Sequence, residues 1–355
     1  IHINSGLIEY SQDYVALLSV LAHEVGHIDL NHITLRKKII KNKNKYRNLT
    51  LLSVLAGSTV TQNPNFLQTG ILGSAAISNQ YIKFSKEQEI EADLYALNTL
   101  NLLNTNSESI IKLLETIEQK LLEKGFSKDK QRISLHPYFE DRILLIQNFK
   151  DNNKFNYSEI YNERFNYIKA KFVGYSDNEE VLSELNEPFK AYAESIKLAR
   201  SGNLKMSLQN LNEIIKKNNN NFLLETKADI LFSYGYTKEA KKFYKKNLEK
   251  YPLNYYAQIR IFENIEIKNL SNSDTEIIFQ NNKDLLYKFY NNKNVLLKYF
   301  EIAKKLNKKE WLQLFNFLLS INDIEKEVFD IEIKNFKSTK DSDLLKLVNI
   351  IQNVN

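Results

Sequence analysis

The sequence predicts a mainly α-helical protein in two parts, with one small strand element at its start. Three observations carry that expectation. Only nine Gly and four Pro occur in 355 residues, too few for the tight turns of a sandwich or barrel. Apolar residues recur at helical spacing through most of the chain. Beyond about residue 190 a pattern repeats: Gly202, Ser207 and Leu211 return as Gly235, Ala240 and Tyr244, a shift of 33 residues.

Taken in order, Ile1–Leu7 reads as a short strand ending near Gly6. Ser11 is the expected N-cap of the first helix, with Asp13 in its first turn where the helix dipole favours negative charge. Val15, Leu18, Ala22 and Val25 share one face, so a single helix is expected from about residue 12 to the high thirties. Leu49–Val60 and Phe66–Ile77 read as a hairpin of small-residue helices, each well short of the ~20 residues that span a membrane. Buried packing is its expected role. Contact with a membrane surface is the other reading, and the basic run Arg36–Arg47 would favour an anionic one.

A second strong helix begins at Ser85, which forms a capping-box spacing with Gln88 and leads into the stripe Leu94, Leu97 and Leu100. Helices over 106–124 and 138–150 follow. Residues 151–190 are expected to connect two domains through a helix around Tyr161–Gly174. Within the later repeat, Leu224, Ala228, Leu231, Gly235, Ala240, Tyr244 and Pro252 match tetratricopeptide spacing. Small residues at 228 and 240 would let two helices approach closely, with Gly235 in the turn between them. Residues 253–355 keep the helical period without the motif, and are read as degenerate repeats, a plain helical bundle being the alternative. The expected domains are therefore 1–150 (incomplete at its N-terminus), 151–190 as connector, and 191–355 as tetratricopeptide-like repeats.

A net charge of +6, spread through a chain rich in Lys, Asn and Ile, does not indicate a nucleic-acid partner. The absence of cysteine excludes disulfides, thiolate metal sites and a Cys nucleophile. The chain opens on Ile1 without an initiator Met or a signal-peptide pattern, so it is expected to begin inside a longer gene product.

The chemistry lies in His23-Glu24-Val25-Gly26-His27, an HExxH segment on the first long helix. Spacing i, i+4 sets both imidazoles on one face, where they can share a tetrahedral metal, and Glu24 stands beside them as general base. A catalytic zinc needs a third protein ligand. Glu87, Glu89, Glu91 and Asp93 compete for that place on the second helix. Glu89 and Asp93 share a face, so Glu89 is expected to bind while Asp93 accepts a ring N–H from a ligand His. Glu91, about 200° round the helix from Glu89, should face elsewhere. His32, one residue past the next turn, should point away from the ligand face as a structural or helix-end His. His136, in Ser134-Leu135-His136-Pro137, is expected to stabilise an oxyanion or to occupy the metal's open position. Arg142 is expected to orient that loop or to anchor peptide carbonyls.

HEVGH, then Ser85-Lys86-Glu87-Gln88-Glu89-Ile90-Glu91-Ala92-Asp93, then Ser134-Leu135-His136-Pro137 with Arg142, resembles the HtpX and CAAX-prenyl-protease metallopeptidase family. Lys86 stands where that pattern carries Arg. The resemblance covers roughly residues 1–150. It implies a gluzincin-type domain with one zinc ion held by His23, His27 and Glu89, with Glu24 as base and Asp93 in support. With helical repeats following, the chain is similar to the BepA-like periplasmic branch. That branch implies protein substrates, a periplasmic location, and an outer-membrane assembly context reached through the repeats. Two readings stand: a zinc endopeptidase whose repeats bind clients, or a tetratricopeptide chaperone or adaptor on an inactive peptidase scaffold.

Overall fold

Capping decides where the first helices begin, and it moves them from their expected places. The computed structural model describes residues 3–32, 34, 86–125, 139–149, 155–176, 178–218, 220–320 and 326–354, and contains no strand among them. The opening is helical instead of extended: α1 spans Ser5–Tyr10, capped by Asn4, whose side chain accepts from the Gly6 N–H. Ser11 closes α1 rather than opening the next helix, and its hydroxyl donates to Leu7 O at 2.6 Å. Asp13 caps α2 (Tyr14–Asp29), accepting from the Ala16 N–H at 2.9 Å. A carboxylate caps as well as a hydroxyl and also meets the helix dipole. α2 is shorter than its apolar spacing implied. Leu30 closes it, and Asn31 turns the chain with φ of 57°, a left-handed conformation that Asn tolerates.

A third helix, α3, covers the described residues 86–102. It is followed by α4 (Glu108–Glu123) and α5 (Phe139–Asn148). Two residues of the stripe read from the sequence, Leu97 and Leu100, join Val15 of α2, Ile110 and Leu114 of α4, and Phe139 and Ile146 of α5 in one core, while Leu94 is half-buried and outside it. Each such side chain contributes about 1.5–3 kcal/mol when fully buried. The segments Leu49–Val60 and Phe66–Ile77, the residue Ser85, and the His136-Pro137 pair lie outside the described residues.

The expected connector packs against this same core unit. α6 (Glu159–Tyr175) and α7 (Glu179–Glu184) follow α5. Tyr14 packs against Tyr157 at a tilt and against Tyr161 edge to face, its hydroxyl accepts from the Ser158 N–H, and Lys169 donates to Ser11 O. The chain divides into compact units at Ala193/Glu194, with 151–190 grouped in the first.

α8 (Phe189–Arg200) leads to α9 (Leu204–Lys217), α10 (Asn221–Ser233), α11 (Thr237–Lys250) and α12 (Tyr255–Glu263). Ala228, Ala240, Tyr244 and Ala257 share one core, with Leu231, and Ser207 and Leu211 are buried at the equivalent places one repeat earlier. Gly202 and Gly235, with φ of 88° and 83°, make the turns before α9 and α11, a conformation that a side chain would strain. The remaining helices, from Asn272–Asn281 to Ser342–Val354, enclose an aromatic core of Phe262, Phe279, Tyr299, Trp311 and Phe315. No helix among the described residues is long and apolar enough to cross a membrane.

Candidate metal centre

One turn of α2 separates His23 and His27, and both rings are buried, with 5% exposure each. Their Nε2 atoms face each other at 3.1 Å. Glu89 of α3, 1% exposed, completes the group: Oε2 lies 3.4 Å from His23 Nε2 and Oε1 lies 3.3 Å from His27 Nε2.

Helix α3 reaches these histidines because the two helices touch at backbone distance. A Cβ added to Gly26 would lie 3.0 Å from Tyr95 Cβ and 3.3 Å from Ala92 Cα. Gly26 and Ala92 are therefore what lets Glu89 stand beside the HExxH turn. A close approach of this kind has no signature in the sequence of one chain. Gly→Ala usually favours a helix by about 0.8–1 kcal/mol. Here overpacking should outweigh that by forcing the helices apart, at a cost of about 1–3 kcal/mol. Gly26→Ala should lower both unfolding stability in urea and metal affinity; a more stable variant with unchanged affinity would show that the contact can relax.

Hydrogen bonds assign the ring protons. His23 Nδ1–H donates to Asp93 Oδ1 at 2.8 Å. Arg142 grips that carboxylate with two donors, Nε to Oδ2 at 2.7 Å and Nη2 to Oδ1 at 2.8 Å. Burial opposes the charge on Asp93, but the hydrogen bonds from His23 and Arg142 prevail and hold its carboxyl below the usual range. Burial likewise opposes a charge on His23, and the Asp93 and Glu89 hydrogen bonds outweigh it and raise its pKa. The pocket thus demands positive charge at the point where the Nε2 atoms and Glu89 meet.

A divalent cation meets that demand. With its proton on Nδ1, His23 aims an Nε2 lone pair at the Nε2 of His27 and at a carboxylate, an arrangement that a cation or a shared proton between them relieves. Bonds of about 2.0–2.2 Å in a tetrahedron put ligand atoms roughly 3.3–3.6 Å apart. The observed separations of 3.1–3.4 Å are close to that. The ligand atoms of His23, His27 and Glu89 all lie within 4.8 Å of one another, and form the one such group among the described residues.

The other expected residues are placed as follows. Glu24 is half-buried on α2 and, with His23, Asp93 and Arg142, borders a mainly apolar cavity of about 170 Å³. Arg142 is buried, and its fork on Asp93 makes it a brace for the site rather than an anchor for peptide carbonyls. His136 lies outside the described residues. His32 does not turn away: it is 2% exposed, its Nδ1 is 2.9 Å from His27 Nδ1, and its Nε2 is 3.0 Å from Glu91 Oε2. Those contacts are of the structural kind expected, but an ideal helix continued through residue 32 gives the ring the wrong direction. Glu91 does leave the ligand face, as its position round α3 requires, yet returns to the site through His32.

A buried His-His-carboxylate group on two packed helices, with a Glu next to the first His, defines a metallopeptidase-type centre. Residues 1–150 match Peptidase family M48. The β-barrel assembly-enhancing protease of Yersinia pestis is 24% identical over 143 residues, which cover 40% of this chain. The match covers 28% of that protein's own length.

Proposed function

We propose that this chain is a zinc-dependent endopeptidase acting on polypeptide clients, with residues 1–150 as its catalytic domain. The convergence of His23, His27 and Glu89 at tetrahedral spacing carries the reading. Zinc held there supplies Lewis-acid polarisation of the scissile carbonyl and a water acidic enough to attack near neutral pH. Glu24 accepts the proton of the attacking water on its carboxylate and delivers it to the leaving nitrogen. Asp93 fixes the proton of His23 on Nδ1, and Arg142 keeps Asp93 ionised while it does so. His136 stabilises the oxyanion or guards the open metal position.

Residues 191–355 serve, in this reading, as a tetratricopeptide-like surface for clients or partners. Support comes from the buried small residues Ala228 and Ala240 and the glycine turns between helix pairs. Similarity to the β-barrel assembly-enhancing protease of Yersinia pestis supports a role in β-barrel protein assembly or its quality control, and the resemblance read from the sequence motifs would place that role in the periplasm, at the outer membrane.

Metal analysis of the purified chain should give one zinc per molecule, reduced to a trace in Glu89→Ala. Casein should be cleaved by the wild type and lose that cleavage with the zinc. A wild-type chain that binds zinc but cleaves nothing would instead favour a chaperone or adaptor on an inactive scaffold. For the client surface, photo-crosslinks from an unfolded protein should fall on helices after residue 194. Crosslinks confined to residues 1–150 would reject that assignment.

A further inference from the structure

We infer that His32 and Glu91 are positioning residues for His27, joined in a Glu–His–His relay that fixes which nitrogen His27 presents to the metal. The inference rests on the zinc-site reading above. Its basis is the direction of two hydrogen bonds. Glu91 Oε2 can only accept, so at 3.0 Å the proton belongs to His32 Nε2. A neutral imidazole carries one N–H, which leaves a lone pair on His32 Nδ1. That lone pair accepts from His27 Nδ1–H at 2.9 Å. His27 Nε2 must then carry its lone pair toward Glu89 and His23, as a ligand requires. A single carboxylate at the far end thus sets the proton of a ring it never touches.

Local structure holds the relay in place. The left-handed turn at Asn31 brings His32 back beneath α2, and Gln88 of α3 donates to the His32 carbonyl at 3.3 Å. The two rings meet edge to face, with centroids 5.0 Å apart and planes at 71°. His32 is buried, while the Glu91 side chain is 60% exposed, so the relay runs from the metal site to its rim. The two histidine ligands are therefore braced differently. His23 donates directly to a buried carboxylate that Arg142 neutralises, whereas His27 pairs with another imidazole. Residues that orient metal-bound histidines typically change affinity 10–100-fold when removed.

The test is zinc affinity of the full chain, measured by competition with a chromophoric chelator, alongside the absorption bands of the Co²⁺-loaded protein. His32→Ala should weaken zinc binding by about 10–100-fold and alter the Co²⁺ bands. His32→Asn, whose Oδ1 can accept the same N–H, should recover most of the affinity. Glu91→Ala should show a loss near the low end of that range with normal folding, because the side chain is largely in solvent. The inference is overturned if Glu91→Ala and His32→Ala both bind zinc within about twofold of wild type, or if His32→Asn recovers nothing. Should His32→Ala misfold, Glu91→Ala and His32→Asn decide. Failure of the zinc-site reading itself looks different: the wild type binds no zinc, or Glu89→Ala keeps it.

Discussion

Glu24→Gln is expected to keep zinc and fold while peptide hydrolysis falls by roughly 10²–10⁴-fold. Gln matches Glu in size, and position 24 lies on the half-buried side of α2 between ligand turns, so packing has no reason to change. The amide still hydrogen-bonds to water but cannot take its proton. The loss should therefore appear in kcat with little movement in KM. Metal analysis, far-UV circular dichroism and hydrolysis of a quenched peptide on the same preparation separate the outcomes. Turnover near that of the wild type would remove Glu24 from the mechanism.

Arg142→Met is expected to destabilise the first compact unit by about 3–5 kcal/mol, the usual cost of leaving one member of a buried ion pair alone. Arg142 and Asp93 are both buried, and two short hydrogen bonds join them, so solvent cannot replace the guanidinium. Asp93 would keep His23 as its one remaining close partner among those described here. Adding Asp93→Asn should recover most of the lost stability, since the stranded charge disappears while Oδ1 can still accept from His23 Nδ1–H. Urea unfolding of the three variants tests the pair. A loss below about 1 kcal/mol in Arg142→Met would mean that the pair is screened or replaceable.

Much of the chain's architecture was legible because it depends on local periodicity. The stripe at Leu97 and Leu100, the helices near 106–124 and 138–150, and the glycine turns at 202 and 235 follow from spacing and backbone preference alone. The N-terminal strand was misread for a local reason too: an Asn4 cap followed by Gly6 starts a helix that a short apolar run resembling a strand conceals. The helix expected around Tyr161–Gly174 is present as Glu159–Tyr175, but the distant partners of this segment, Tyr14 for Tyr157 and Tyr161 and Ser11 for Lys169, are not revealed by polarity alone.

The candidate site divides along the same line. Sequence by itself determined the chemistry: two imidazoles one turn apart, a carboxylate beside them, and an acidic i, i+4 pair on another helix. Helical geometry fixes those relations whatever surrounds them. Only the tertiary structure decided how the ligands are held. Gly26 admits α3 to contact distance, Arg142 grips Asp93 from another helix, and the turn at Asn31 carries His32 and Glu91 back to His27. Each of these depends on where one helix ends or how closely two approach, and that is set by packing between residues distant in sequence.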